Sequence, residues 1–210
     1  MWLLASVAGL FALLMVQPPG LAAEFGDIEL ALYALGTWPR DNGIFNQGET
    51  AAVSIKQGIG AGVRVGLFPA FTGRMLGFEI DSFGHGGALS FPNTPNGQNH
   101  GTGRSDLLIL NTMFNLVLRY PGETISPYVG AGAGWSHGTL LNPNIVGRAD
   151  KDFETARAFG HQFLGGLHVM VTRRVFVFGE YRYFSANYHW DGLALDFRVH
   201  YGLAGVGLRF

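Results

Sequence analysis

The stretch YGLAGVGLRF, Tyr201–Phe210, decides how this chain is read. Ala204, Val206, Leu208 and Phe210 fall on one side of an alternation, and Tyr201, Gly205, Gly207 and Arg209 fall on the other. A period of two is the geometry of a β-strand, whose successive side chains point to opposite faces. One face of this strand is wholly apolar and closes on a bulky aromatic, so it needs an apolar surrounding along its whole length.

The same rhythm recurs upstream. Strands are predicted over 27–38, 53–68, 74–85, 106–120, 126–137, 157–171, 174–186 and 197–210. Short links (PAFTG, PGETI, TRR) alternate with long polar ones such as PRDNGIFNQGETAA and NYHWDGLALD. Short-then-long is the pattern of an up-and-down barrel with tight turns at one end and loops at the other. Helices are excluded by the period of two and by the glycines. The expectation is an all-β fold, one eight-stranded antiparallel up-and-down transmembrane β-barrel over residues 24–210.

Composition agrees. Charged residues make up 14%, against roughly 25% in an average soluble domain. Glycine is abundant at 32 residues, aromatics reach 13%, and the mean hydropathy is +0.19. A net charge of −1 offers no basic footprint for nucleic acid. The absence of cysteine excludes disulfides, thiolate catalysis and lipid anchoring through Cys. The apolar run Trp2–Val16 is shorter than the ~20 residues of a spanning helix. A Pro-Pro-Gly break and small residues before Glu24 follow it, so residues 1–23 read as a signal peptide.

The non-apolar strand face mixes glycine with charge. Its acids, Asp27, Glu29, Glu79, Asp81 and Glu180, equal its bases, Lys56, Arg64, Arg119, Arg182 and Arg209. A soluble lipocalin-like barrel would turn this face to water, for which so much glycine is a poor surface. It suits a narrow lumen instead, where balanced charge is what a low-dielectric interior requires. On closure Arg209 is expected beside Asp27 and Glu29, and Arg64 between the strands bearing Glu29 and Glu79. Trp38, Trp135 and Tyr183 are expected to form an aromatic girdle at the loop-rich rim, with Tyr120 and Phe210 at the other rim. From Phe210 and Leu208 up to His200 the last strand climbs about 25 Å, the height of an apolar band. Arg198 and His200 then stand above it.

The segments YGLAGVGLRF, PYVGAGAGW (127–135) and FGEYRYFSANY (178–188) resemble the outer-membrane β-barrel family of Gram-negative bacteria, the single eight-stranded kind that includes the OmpA transmembrane domain and OmpX. The resemblance covers the whole mature chain. It implies an outer-membrane location, a final strand whose Phe210 is read by the barrel-assembly machinery, and a monomer surrounded by membrane lipid and lipopolysaccharide. It implies no cofactor. The peptidoglycan-binding domain that follows the OmpA barrel is not expected here.

Candidate chemistry is sparse. The lipid A 3-O-deacylases, which this chain resembles in size, use a His-x-Ser-Asn motif; in YFSAN (183–187) Tyr183 stands where the His would be and Ala186 where the Asn would be. Ser185 then lacks a general base. Palmitoyltransferase barrels need His, Asp and Ser at the rim, and no diagnostic spacing of these occurs. The histidines (85, 100, 137, 161, 168, 189 and 200) show no metal-ligand spacing; all but His168 fall near the loop-rich end and read as interfacial polar groups. Glu180 and Arg182, two apart on the lumen face, are the sharpest candidates, and the expected role is an ion-pair plug. No catalytic, cofactor-binding or metal-binding residue is expected. The long loops carry Ile44, Phe45, Phe91, Leu140, Leu141 and Ile145 among polar residues and are the expected contact surface. The reading is a non-enzymatic barrel with a plugged lumen and a structural or surface-interaction role. The alternatives are a small porin-like channel and a lipid A-modifying enzyme.

Overall fold

The computed structural model describes residues 26–40, 42–46, 49–90, 104–141, 153–190 and 193–210. The expected signal peptide, His100, Phe91 and Ile145 lie outside them. Ten strands run β1 (Gly26–Pro39), β2 (Asn42–Asn46), β3 (Glu49–Lys56), β4 (Ile59–Pro69), β5 (Leu76–Ser90), β6 (Arg104–Arg119), β7 (Ile125–Leu141), β8 (Phe153–Met170), β9 (Val175–Trp190) and β10 (Leu193–Arg209). Every pairing is antiparallel, and β1 pairs with both β4 and β10, so the sheet closes. β2 continues the line of β1 along β10, and β3 continues that of β4 along β5, so the ten strands form eight staves.

Register fixes the barrel's dimensions. The row of partners Trp38, His200, Tyr183, Phe163, Ala131, Leu116, Phe78 and Leu67 returns to β1 at Ile28, ten residues from its start. Eight staves with that stagger tilt by about 40° and leave an interior just wide enough for side chains to fill. Inward glycines make room for rings from neighbouring staves. A Cβ on Gly62 would run into the Tyr33 ring, one on Gly77 into Phe68, and one on Gly207 into Phe176. Among the described residues no helix is long and apolar enough to cross a membrane, and the strands present the apolar surface instead. Leu32, Phe78, Ile80, Leu116, Phe163 and Val206 all point outward and are exposed.

Two expectations change. The strands are longer than predicted at the loop-rich end, where β7 reaches Leu141 and β9 with β10 forms a hairpin up to Trp190 and Leu193. The lumen, expected to be polar throughout, is polar only in its lower part. Above it Ile109, Leu140, Phe184, Tyr188, Phe197 and Val199 all face inward and are at most 1% exposed. On the β8–β10 side the outward positions Arg157, His161, Asn187, His189 and Arg198 are exposed and polar, while Phe153, Phe159, Leu108, Leu110 and Ile59 are exposed and apolar. On that side the wall inverts along its length: apolar outside and polar inside below, polar outside and apolar inside above. Along β7 to β10 the alternation runs on into stretches predicted as loops.

Lys56, expected in the lumen, points outward and is exposed. Lys56 pairs with Ala88 and Gly60 with His85, so three residues on one stave face two on the other. This bulge shifts the parity of everything before it by one residue. Thr37 latches it: its Oγ1 accepts from the Gly58 N–H at 2.7 Å, and its own N–H donates to the Gly58 carbonyl at 3.0 Å. Only glycine fits there, because a Cβ on residue 58 would collide with the Gly86 carbonyl.

The inversion has a direct test in nitroxide accessibility. In lipid vesicles, labels at Leu116→Cys and Phe163→Cys are expected to relax chiefly with oxygen, and labels at Arg157→Cys and Asn187→Cys with a water-soluble nickel complex. Oxygen dominance at 187 would contradict the inverted upper wall.

Candidate functional site

Arginine, aspartate and glutamate side chains from six staves meet inside the lower lumen in two tiers. In the lower tier Glu29 accepts from Arg119 Nη1 and, at 2.8 Å, from Arg209 Nε. Asp27 accepts from Arg119 Nη2 at 2.7 Å and pairs with Arg74 Nε at 2.9 Å and Arg209 Nε at 3.7 Å. The Arg119 guanidinium lies 3.8 Å from the centroid of the fully buried Phe68 ring, a cation–π contact away from water. His168 Nδ1 stands 3.7 Å from Glu29, with its ring stacked on Phe176 at 4.5 Å.

The middle tier is tighter. Arg182 Nη2 donates to Asp81 Oδ2 and to Glu180 Oε1, each at 2.7 Å, and its Nε reaches the same Glu180 oxygen at 3.1 Å. Arg64 Nη2 donates to Glu180 Oε2 at 2.7 Å and lies 3.5 Å from Asp81 Oδ2, while its Nε is 3.6 Å from Glu79. Two tyrosine hydroxyls complete the carboxylates: Tyr128 donates to Glu180 at 2.7 Å and Tyr33 to Asp81 at 2.5 Å. Such charge-assisted bonds are the strong ones, and burial makes each of them costly to break. Above this tier the polar contacts become neutral: Gln162 donates to Asn115 at 2.6 Å, Ser136 donates to Asn111 at 2.5 Å, and His85 Nε2 lies 2.9 Å from the Tyr201 hydroxyl.

The expected neighbours meet in part. Arg209 lies beside Asp27 and Glu29. Arg64 lies between the strands bearing Glu29 and Glu79, with its Nε 3.6 Å from Glu79, and its Nη2 reaches Glu180 across the lumen. Lys56 is replaced in the charge balance by Arg74, a turn residue at φ 60° that folds back onto Asp27. Tyr33 and Tyr128 went unnoticed in the sequence, although their inward parity could have found them. Among the girdle residues Trp38 and Trp135 are half-exposed and Tyr120 is exposed, while Tyr183 is intermediate with its ring 5.3 Å from that of His200. Leu208 pairs with Leu30, and the Phe210 N–H donates to the Ile28 carbonyl at 2.9 Å.

Register also supplies what the sequence withheld from Ser185. His161 is its partner across β8–β9, both on the outer face, but among the described residues no hydrogen bond joins them and Ser185 is 8% exposed. Among the described residues, no group of three or more His, Cys, Asp or Glu is placed to hold a metal ion.

Glu180→Gln removes the charge that both Arg64 and Arg182 rely on, and breaking a buried pair of this kind costs about 3–5 kcal/mol. Urea unfolding from lipid vesicles is expected to show that loss, while Lys56→Met leaves the midpoint where it was. Equal effects of the two substitutions would contradict the placement of both.

The sequence matches the outer membrane protein beta-barrel domain family over residues 9–210. By fold it is similar to Neisserial surface protein A, at 15% identity and a TM-score of 0.56 over 88% of this chain and 99% of that one. It is likewise similar to the outer membrane protein AlkL in lipid bilayers, at 16% identity and a TM-score of 0.54 over 89% and 91%. Ail, the attachment invasion locus protein of Yersinia pestis, solved with the heparin analogue sucrose octasulfate, aligns at 14% identity and a TM-score of 0.52 over 89% and 99%. No curated protein matches the sequence. A closed eight-stave barrel with an apolar outer band and a charged lumen thus coincides with a family match over nearly the whole sequence: the chain belongs to the outer membrane protein beta-barrel domain family and resides in the bacterial outer membrane.

Proposed function

We propose that this protein is a non-enzymatic, non-conducting barrel whose lumen is closed and whose working surface is its loop-rich end. The observation that carries this reading is the filling of the lumen by two unlike materials in series. Ions entering the lower part meet arginines already engaged by carboxylates, and above them lies an apolar layer with Ile109, Leu140 and Val199 fully buried. An ion in that layer would lose its hydration without gaining a partner, at a cost of several kcal/mol or more. What remains to act is the rim. Ail, a structural neighbour, is an attachment protein by its description, which fits a rigid stem presenting loops.

A small channel is the second reading, supported by buried atoms such as Arg64 Nη1, Arg182 Nη1 and Glu79 Oε2 that meet no hydrogen-bond partner among the described residues. A lipid A-directed enzyme is the third, supported by His161 standing opposite Ser185; it requires that the acyl pattern of lipid A differ between cells carrying the wild type and Ser185→Ala.

Conductance of the refolded, heat-modifiable protein in a planar bilayer separates the first two readings. Silence is expected. Reproducible steps whose selectivity changes in Glu180→Lys would replace the closed barrel with a channel.

A further inference from the structure

The polar residues of the upper outer wall are not spread evenly around the barrel. On the side of β8, β9, β10 and β1 two adjacent rows of partners run in parallel. One is aromatic, Phe163, Tyr183, His200 and Trp38; the next toward the loops is His161, Ser185 and Arg198. Arg40 extends the second row, its N–H donating to the Arg198 carbonyl at 3.0 Å. On the far wall the outward positions Ile59, Gly84, Gly86, Leu108 and Leu110 bear no charge. The first charges above them, Lys56 and Asp106, are of opposite sign and flank Ala88 in one row. A belt meeting bulk lipid would look alike on all sides, and this wall is one-sided.

The near side is also preorganised. The Tyr181 hydroxyl hydrogen-bonds His200 Nδ1 at 2.6 Å, with the Tyr181 and Tyr183 rings 5.8 and 5.3 Å from the imidazole. The Trp38 indole lies over Gly36 and Gly202, flat on the wall, where a Cβ on Gly202 would meet it at 2.9 Å. Asp196 holds Arg198 through Nη2 at 2.7 Å and Nε at 3.3 Å, which orients a guanidinium whose side chain is 47% exposed.

We propose that this face binds a single phosphorylated glycolipid of the outer leaflet, of lipid A chemistry. Its phosphate meets Arg198, His161 and Arg40, its sugar lies against the faces of Trp38 and Tyr183, and its acyl chains follow the apolar wall below. Guanidinium and imidazole groups just beyond an aromatic row complement an anionic headgroup in charge and in depth. The aromatic faces suit the C–H surface of a pyranose. This assignment concerns the outer wall and is independent of whether the lumen conducts.

The test uses the full chain refolded in phosphatidylcholine nanodiscs doped with bisphosphorylated lipid A, with retained lipid counted by native mass spectrometry after gentle extraction. Wild type is expected to keep one lipid A. Retention should fall about fivefold or more in Arg198→Ala, as for loss of a basic group near a membrane surface. It should stay low in Arg198→Ala/Asp196→Ala, where no bare carboxylate is left to blame, and fall in Trp38→Leu. All three remain heat-modifiable, since the side chains face outward. Lys56→Ala on the far wall should retain lipid A as wild type does. Equal loss in Lys56→Ala, undiminished retention in Arg198→Ala, or equal retention of lipid A stripped of both phosphates would each overturn the proposal. So would displacement of the lipid by inorganic phosphate alone, because the site would then read a free anion.

Discussion

Two arginines share two carboxylates at the centre of this molecule. Arg182 bridges Asp81 and Glu180, and Arg64 takes the other oxygen of Glu180 from across the lumen. With eight staves and a ten-residue stagger, the space inside is set before any side chain is chosen. Charges placed there have little water to turn to, so each must find a counterion, and apart from Arg182 with Glu180 these pairs join different staves or a stave and the turn that bears Arg74. These bonds tie staves together, across the lumen between Arg64 and Glu180 and at the seam between Glu29 and Arg209. The tyrosines, the inward glycines and the rings over the guanidinium groups all serve that tier. They supply the last donors, the space, and the apolar lining that excludes water.

Along its axis the barrel is solvated in two ways. In the lower band its outside is apolar, as lipid requires, and its inside carries the ion pairs. Above the aromatic girdle the outside turns polar on the β8–β10 side, and the inside becomes a core of Phe, Leu, Val and Tyr. The change occurs without a break in any of β7 to β10, so the upper staves are a stiff continuation of the lower ones. That geometry gives the loop-rich end a stiff base and fills the upper interior with apolar side chains.

Much of this was legible in the sequence because a period of two is hard to imitate. Stave number, the lipid-facing positions and the meeting of Arg209 with Glu29 follow from alternation and closure alone. Alternation also explains the misreadings. It says that two faces differ but not which solvent each meets, so Leu195 was hidden in a stretch that looks like a loop, and Phe197 and Val199, inside the predicted strand, gave no sign of facing an apolar core. One extra residue at Gln57–Gly58 inverts parity and carries Lys56 out of the lumen, and bulges leave little trace beyond a glycine. Arg74 enters the network from a turn, and its fit to Asp27 depends on a backbone angle that no pattern of residue types reveals.

The central claim is that the middle tier is held by specific pairing across staves rather than by general polarity. A double-mutant cycle on Asp81 and Arg182, using Asp81→Asn, Arg182→Gln and both together, measures this most directly by unfolding in lipid vesicles. The pairing described here requires the double substitution to cost less than the sum of the singles by about 1–3 kcal/mol, the range for residues in direct contact. Additive losses would mean that Asp81 and Arg182 contribute independently, and the account of the lumen would fail.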